Sequence, residues 1–234
     1  MKTNIHFRIA ACALIVAVVA AGCSNSSEPG NPRVTVAFGA GSTFRFNNYR
    51  IDTLGNFNYP STSLDSVEAV GLTVGGKTNV IRINEKHPGD FKGFDYFIAY
   101  EPNGDFSIGD SSYSIYGGID WETYPTGSHL TSVFDTVLSG GELEHTEISY
   151  ADNEMIQVAG RNFNAVKIRM DAMLYDSYYH FSEYAYLWYV PEINFFVKYE
   201  SHSVVTYTDY GDVTTYRSGS MFVLDSYDLK WAPR

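Results

Sequence analysis

The sequence predicts an all-β, mainly antiparallel fold: a curled sheet forming a half-barrel or barrel-like domain, with at most one or two short helices. Three observations carry this expectation. Apolar side chains recur at every second position: along Asn164–Leu174, residues Asn164, Val166, Ile168, Met170, Ala172 and Leu174 share one face and Lys167, Arg169 and Asp171 the other. Hairpin-type breakers punctuate the chain at Gly75-Gly76, Pro102-Asn103-Gly104-Asp105, Gly140-Gly141 and Tyr210-Gly211-Asp212, a spacing that suits an antiparallel meander better than strands alternating with helices. The hydrophobic content is 44%, and much of it is 19 Tyr and 15 Phe, rings that favour strands.

The chain opens with Lys2 and Arg8 around an apolar run, Ile9 to Ala21, that ends in Gly22-Cys23. Charge, hydrophobic core and small residues in that order read as a secretory signal over residues 1–22, removed on export. A membrane span is the competing reading, but a span needs about 20 apolar residues and this run is shorter. Residues 23–33 follow as Cys23-Ser24-Asn25-Ser26-Ser27-Glu28-Pro29-Gly30-Asn31-Pro32-Arg33. This composition buries too little apolar surface to fold and is read as a flexible tether.

Residues 34–234 are expected to form a single β-rich domain, since no second linker, repeat or low-complexity block divides them. Strands are expected at Val34–Phe38, Thr43–Asp52, Val67–Val74, Asn79–Asn84, Phe94–Glu101, Tyr113–Tyr116, Leu143–Tyr150, Met155–Val158, Asn164–Leu174, Tyr184–Val190, Phe196–Ser201, Val204–Tyr210 and Met221–Leu229. The last carries large apolar side chains on both faces, which suits a strand covered on both sides or one whose second face lines a cavity. Residues 128–139 read two ways. Leu130, Val133, Phe134, Val137 and Leu138 recur at helical spacing, with Ser128 as N-cap and Gly140 as terminator, while β-branched content and a weaker alternation allow a strand.

Without residues 1–22 about 212 residues remain, and the loss of Lys2 and Arg8 moves the formal charge from -11 to about -13. That sign opposes nucleic-acid backbones and anionic headgroups as partners. The six His are scattered, and none forms the paired spacing of a zinc hydrolase. Asn103-Gly104-Asp105 with Asp110 offers oxygen ligands, but the spacing matches no calcium loop, and turn chemistry explains it. No nucleophile elbow, phosphate-cradling loop or mature Cys nucleophile is present besides Cys23, and no motif requires a cofactor. The chain is therefore expected to be not an enzyme but a binding or scaffolding module, for an apolar ligand if the sheet encloses a cavity, with carbohydrate binding through exposed aromatics as the alternative. An enzyme of unrecognised type stays open, because 27 acidic side chains offer many pairings.

The densest chemical signal is aromatic: Tyr175, Tyr178, Tyr179, Phe181, Tyr184, Tyr186, Trp188 and Tyr189 lie within one short stretch. Such rings stack on sugars or line an apolar pocket, and they also fill cores. Trp188, Tyr186, Tyr184 and Trp121 are the candidate ligand-binding residues, for a lipid or a glycan.

Ala20-Ala21-Gly22-Cys23 resembles the lipobox of bacterial lipoproteins, although Ala20 stands where Leu is usual. The resemblance implies cleavage before Cys23 and acylation of its thiol. Cysteine usage agrees: of two cysteines, Cys12 leaves with the signal, so Cys23 would otherwise be a lone thiol in an oxidising compartment. Ser24, in place of the Asp that retains enteric lipoproteins in the inner membrane, favours the outer membrane, with lipid as the link to it.

Two further segments, Val158-Ala159-Gly160-Arg161-Asn162-Phe163 and Trp188-Tyr189-Val190-Pro191-Glu192-Ile193-Asn194-Phe195-Phe196-Val197-Lys198, resemble paired signatures of β-rich bacterial envelope proteins of unknown function. The resemblance covers roughly residues 155–200. It implies turns at Gly160 and after Pro191, with Asn194 in the place usually held by Gly, and it carries no catalytic residues. Some of these families are similar to the open half-barrels of lipid carriers.

Overall fold

The structure, a computed structural model, describes residues 38–110, 119–127, 131–137, 143–175, 179–209 and 212–230. These residues build twelve strands: β1 (Thr43–Ile51), β2 (Phe57–Val74), β3 (Lys77–Lys86), β4 (Phe94–Tyr100), β5 (Phe106–Asp110), β6 (Asp120–Tyr124), β7 (Thr131–Val137), β8 (Leu143–Val158), β9 (Arg161–Tyr175), β10 (Tyr179–Val190), β11 (Phe195–Asp209) and β12 (Asp212–Asp228). They form one antiparallel sheet, nearly closed into a barrel, in the order β6-β5-β4-β3-β2-β1-β12-β11-β10-β9-β8-β7. The expected all-β, antiparallel, barrel-like class is what the chain adopts.

Turn chemistry sets the hairpins. Gly75 and Gly76, at φ 56° and 80°, turn β2 into β3, the paired positive angles that a two-residue hairpin needs. Ala159 and Gly160 do the same between β8 and β9 at φ 49° and 69°. Asn194 takes φ 54° between β10 and β11, which suits Asn where the resembling proteins have Gly.

The ambiguous 128–139 segment is strand where it is described. Residues 131–137 pair with β8 in the register Thr131↔Ser149 to Val137↔Leu143, so tertiary pairing overrides the helical spacing. Residues 128–130 and 138–139 lie outside the described residues. Leu143–Tyr150 and Met155–Val158 fuse into one strand through a bulge between Tyr150 and Asp152. Phe196–Ser201 and Val204–Tyr210 likewise belong to one strand, β11. Two strands, β5 and β6, were not expected. Phe38 is described outside any strand, and the rest of Val34–Phe38, all of Tyr113–Tyr116 and Cys23 lie outside the described residues.

The inward faces meet in an aromatic interior. Phe106 stacks on Tyr124 of the adjacent β6 at 5.1 Å and on Tyr189 at 4.7 Å, so β5 touches β10 across the barrel. Phe44 stacks on Phe195 at 3.9 Å, and Phe46 meets Phe196 and Phe222 at 6.1 and 5.3 Å. Offset and edge-on pairs of this kind add about 0.5–1.5 kcal/mol each beyond the area they bury. The closed part of the barrel is thus filled by its own rings.

Candidate functional site

Alternation along β10 divides its aromatic run. Glu183, Ala185, Leu187 and Tyr189 point inward and are buried; Tyr184, Tyr186 and Trp188 form a row on the outer face, with ring centroids 6.3 and 5.9 Å apart. The neighbouring strands frame this row residue by residue. Trp188 stands between Lys167 of β9 and Lys198 of β11, Tyr186 between Arg169 and Glu200, and Tyr184 between Asp171 and His202.

The contacts follow the register. Lys167 Nζ lies 4.4 Å from the Tyr186 ring centroid and 5.0 Å from that of Trp188, and Lys198 Nζ sits 4.2 Å from the Trp188 ring. The Trp188 indole N–H donates to Glu154 Oε1 at 2.8 Å. Under these neighbours Trp188 is only 3% exposed, whereas Tyr184 is 43% exposed and stacks on His202 at 4.9 Å. The surrounding charges are paired: Lys167 with Glu154, Arg169 with Asp171, and both Lys198 and His202 with Glu200. Hydrogen bonds from Lys198 and His202 hold the Glu200 carboxyl below its ordinary range against the opposing effect of burial. The patch is near neutral on a strongly acidic chain, and dense in donors and acceptors around flat rings.

Trp121, the fourth expected residue, is not part of this row. It lies on β6, against Gly75 and Gly109, where an added Cβ would come within 2.6–2.7 Å of the indole. Lys77 Nζ is 5.4 Å from its ring. Its Nε1 is buried with no hydrogen-bond partner among the described residues.

A second polar region, inside the barrel, was not anticipated. Glu122 of β6 is 7% exposed and Glu183 of β10 is 6% exposed. Burial lifts Glu122 to about 7, opposed by a hydrogen bond from Tyr124 and assisted by the Glu144 charge. Burial likewise lifts Glu183 to about 7, opposed by hydrogen bonds from Ser201 and Tyr199. Glu183 Oε1 makes no hydrogen bond among the described residues. Farther round, Asp65 accepts from the Tyr96 hydroxyl at 2.7 Å, and burial followed by the Glu85 charge pushes the Asp65 carboxyl far up. The only sequence signal for these groups was a carboxylate at an inward position of an alternating strand.

The His and Asn/Asp candidates take ordinary places. His145 pairs with Asp135 across β7 and β8 at 2.5 Å, and Asp105 sits in the β4–β5 turn, where its N–H donates to Asn103 Oδ1 at 3.2 Å and its carboxylate accepts from the Thr126 N–H just after β6 at 2.9 Å.

No family profile and no curated protein matches this chain. Among solved structures, a candidate lipoprotein of Parabacteroides distasonis is similar at 15% identity with a TM-score of 0.49, over 83% of this chain and 100% of that one. A candidate exported protein of Bacteroides fragilis with a YmcC-like fold is similar at 15% identity and a TM-score of 0.44, over 82% of this chain and 99% of that one.

Proposed function

We propose that this chain is a lipid-anchored envelope protein of the outer membrane that binds a glycan on the outer face of β9, β10 and β11, and that it is not an enzyme. The observation that carries the glycan reading is the exposed Tyr184 beside half-buried Tyr186, with Trp188 covered beneath its two lysines at the end of the row, bordered by paired Lys, Arg, Asp, Glu and His side chains. A sugar offers apolar C–H faces to rings and hydroxyls to paired charges, and such a mixed surface suits it. The lipid-carrier reading has less support, because rings fill the closed interior, and two hollows among the described residues, about 220 and 240 Å³, open at the surface beside Arg45 and Arg50. Acyl chains on Cys23 supply the membrane attachment, since a surface bearing about 13 net negative charges would repel anionic headgroups.

The test is a titration of the mature domain with a panel of cell-wall and extracellular polysaccharides, followed by tryptophan fluorescence and by retention on immobilised glycan. One class should bind, and Tyr184→Ala should weaken it about fivefold or more with the circular dichroism spectrum unchanged. Binding that is indifferent to Tyr184→Ala, or a panel with no binder, overturns the reading.

A further inference from the structure

Lys77, Arg82, Lys167, Arg169, Lys198 and Lys230 each stand beside a carboxylate in an ion pair. Arg50 and Arg217 do not, and neither side chain has a hydrogen bond among the described residues. With 27 acidic side chains against 16 basic ones, no shortage of partners explains this. The two arginines line the same hollow, about 240 Å³, at the end of β1.

The walls of this hollow come from elements distant in sequence. Ile51↔Gly219 is the last pair between β1 and β12, so Arg217 and Ser218 sit on the stretch of β12 that runs past the end of β1, while Arg50 comes from β1 and Asn58 from β2. Asp52 also lines the hollow, but its oxygens take the turn's own donors. Oδ1 accepts from the N–H groups of Leu54 and Asn56 at 2.8 and 2.9 Å, and Oδ2 accepts from Asn58 Nδ2 at 2.7 Å. Two guanidinium groups against one carboxylate leave the hollow net positive. Their planar forks of N–H donors match the oxygens of a carboxylate or sulfate.

Register joins the hollow to the exposed end of the aromatic row. Tyr184 pairs with His202, His202 with Gly219 and Gly219 with Ile51, in one line across β10, β11, β12 and β1. Gly219 puts no side chain between the Tyr184–His202 stack and Ile51, and Arg217, two residues away on β12, shares its face. Two strand spacings separate β12 from β10, about 10 Å, which a short oligosaccharide bridges.

We propose, resting on the glycan reading above, that the glycan is acidic: sugar rings lie on Tyr184 and His202, and a carboxylate or sulfate on a neighbouring unit enters the hollow between Arg50 and Arg217. The near-neutral row and the net positive hollow offset the charge of the whole chain locally, because salt screens exposed charges beyond about 8 Å. The other hollow supplies a control. Arg45 and Lys86 line it, also without a carboxylate partner among the described residues, toward the opposite end of β1 and off the Tyr184 line.

The test compares binding of the mature protein to polysaccharides of one backbone with and without acidic groups: alginate and its carboxyl-reduced form, pectate and its methyl ester, dextran sulfate and dextran. At least one acidic member should bind about tenfold or more tightly than its neutral counterpart. Arg50→Gln combined with Arg217→Gln should erase that difference with the circular dichroism spectrum unchanged, whereas Arg45→Gln combined with Lys86→Gln, which removes equal charge, should keep it. Tyr184→Ala should weaken both members of the pair alike. Equal binding of acidic and neutral members, or a preference that survives loss of Arg50 and Arg217, overturns the proposal and leaves the glycan reading standing as long as Tyr184→Ala still weakens binding. Equal loss in the Arg45 and Lys86 variant overturns it as an effect of net charge. Binding to no member of any pair overturns both, as does arginine-dependent binding to phosphatidylglycerol vesicles with none to the polysaccharides.

Discussion

Tyr189 donates its hydroxyl hydrogen to Oδ1 of Asn194 across the turn between β10 and β11. The Asn194 carbonyl accepts from Tyr100 of β4, and Asn194 is itself fully buried. One residue thus fixes a turn with positive φ and ties two sides of the barrel together. Asn194→Ala should cost about 3 kcal/mol, combining a lost buried hydrogen bond with the left-handed backbone penalty. Asn194→Gly, which removes only the side-chain bond, should cost about 1–2 kcal/mol. Urea titrations of both variants separate the two contributions.

Asp65 and Tyr96 make a buried carboxyl–phenol pair. Tyr96→Phe removes the donor to Asp65 and should destabilise the fold by about 1–3 kcal/mol. Because burial and Glu85 raise the Asp65 carboxyl, the native state holds a proton there that the unfolded chain releases near the ordinary carboxylate range. That stability is present below the unfolded value and is lost as pH rises toward the folded one. Asp65→Asn should therefore flatten the decline in melting temperature between pH 5 and pH 8, and an unchanged decline would count against the pair.

Glu183 obeys the same sign. Its native value near 7 lies above the ordinary 4.5, so stability falls as pH climbs from about 4.5 to 7 and then levels off. Glu183→Gln should be more stable than the wild-type protein at pH 8, by about 2–3 kcal/mol, and gain little at pH 4. Thermal melts at the two pH values give the difference directly.

Gly219 tests close packing without any backbone strain. A Cβ there would stand 2.3 Å from the Ser201 carbonyl oxygen and 3.2 Å from Ile51 Cβ. The first neighbour is backbone and cannot step aside, so Gly219→Ala should cost about 2 kcal/mol or more, read as a lower urea midpoint with an unchanged slope.

Much of this fold is legible locally. Alternation over Asn164–Leu174 gives β9, and Gly75-Gly76 and Gly160 give their hairpins. The bulge at Tyr150 to Asp152 interrupts alternation, which is why β8 reads as two pieces. β5 and β6 are five residues each, and Gly109 in β5 weakens the strand signal. Alternation also places Tyr184, Tyr186 and Trp188 together on one face. It does not tell which face is outside, nor that Lys167 and Lys198 flank Trp188, because those neighbours arrive by pairing with other strands. Trp121 read as an equal candidate for the same reason: its glycine slot is built by residues far away in sequence. The burial of Glu122 and Glu183 inside the barrel was invisible, since it depends on how strands distant in sequence pack over them.

The pairing of β1 with β12 has a further consequence. It sits in the middle of the sheet and joins segments about 180 residues apart, while the Gly39 N–H donates to the Lys230 carbonyl at 2.5 Å. All other neighbouring strands are consecutive in the chain. A circular permutant that links residue 230 to residue 38 and begins after β6 would therefore run from one sheet edge to the other strand by strand. Its contact order would drop sharply with every native pairing retained, and its refolding would be faster than that of the natural order.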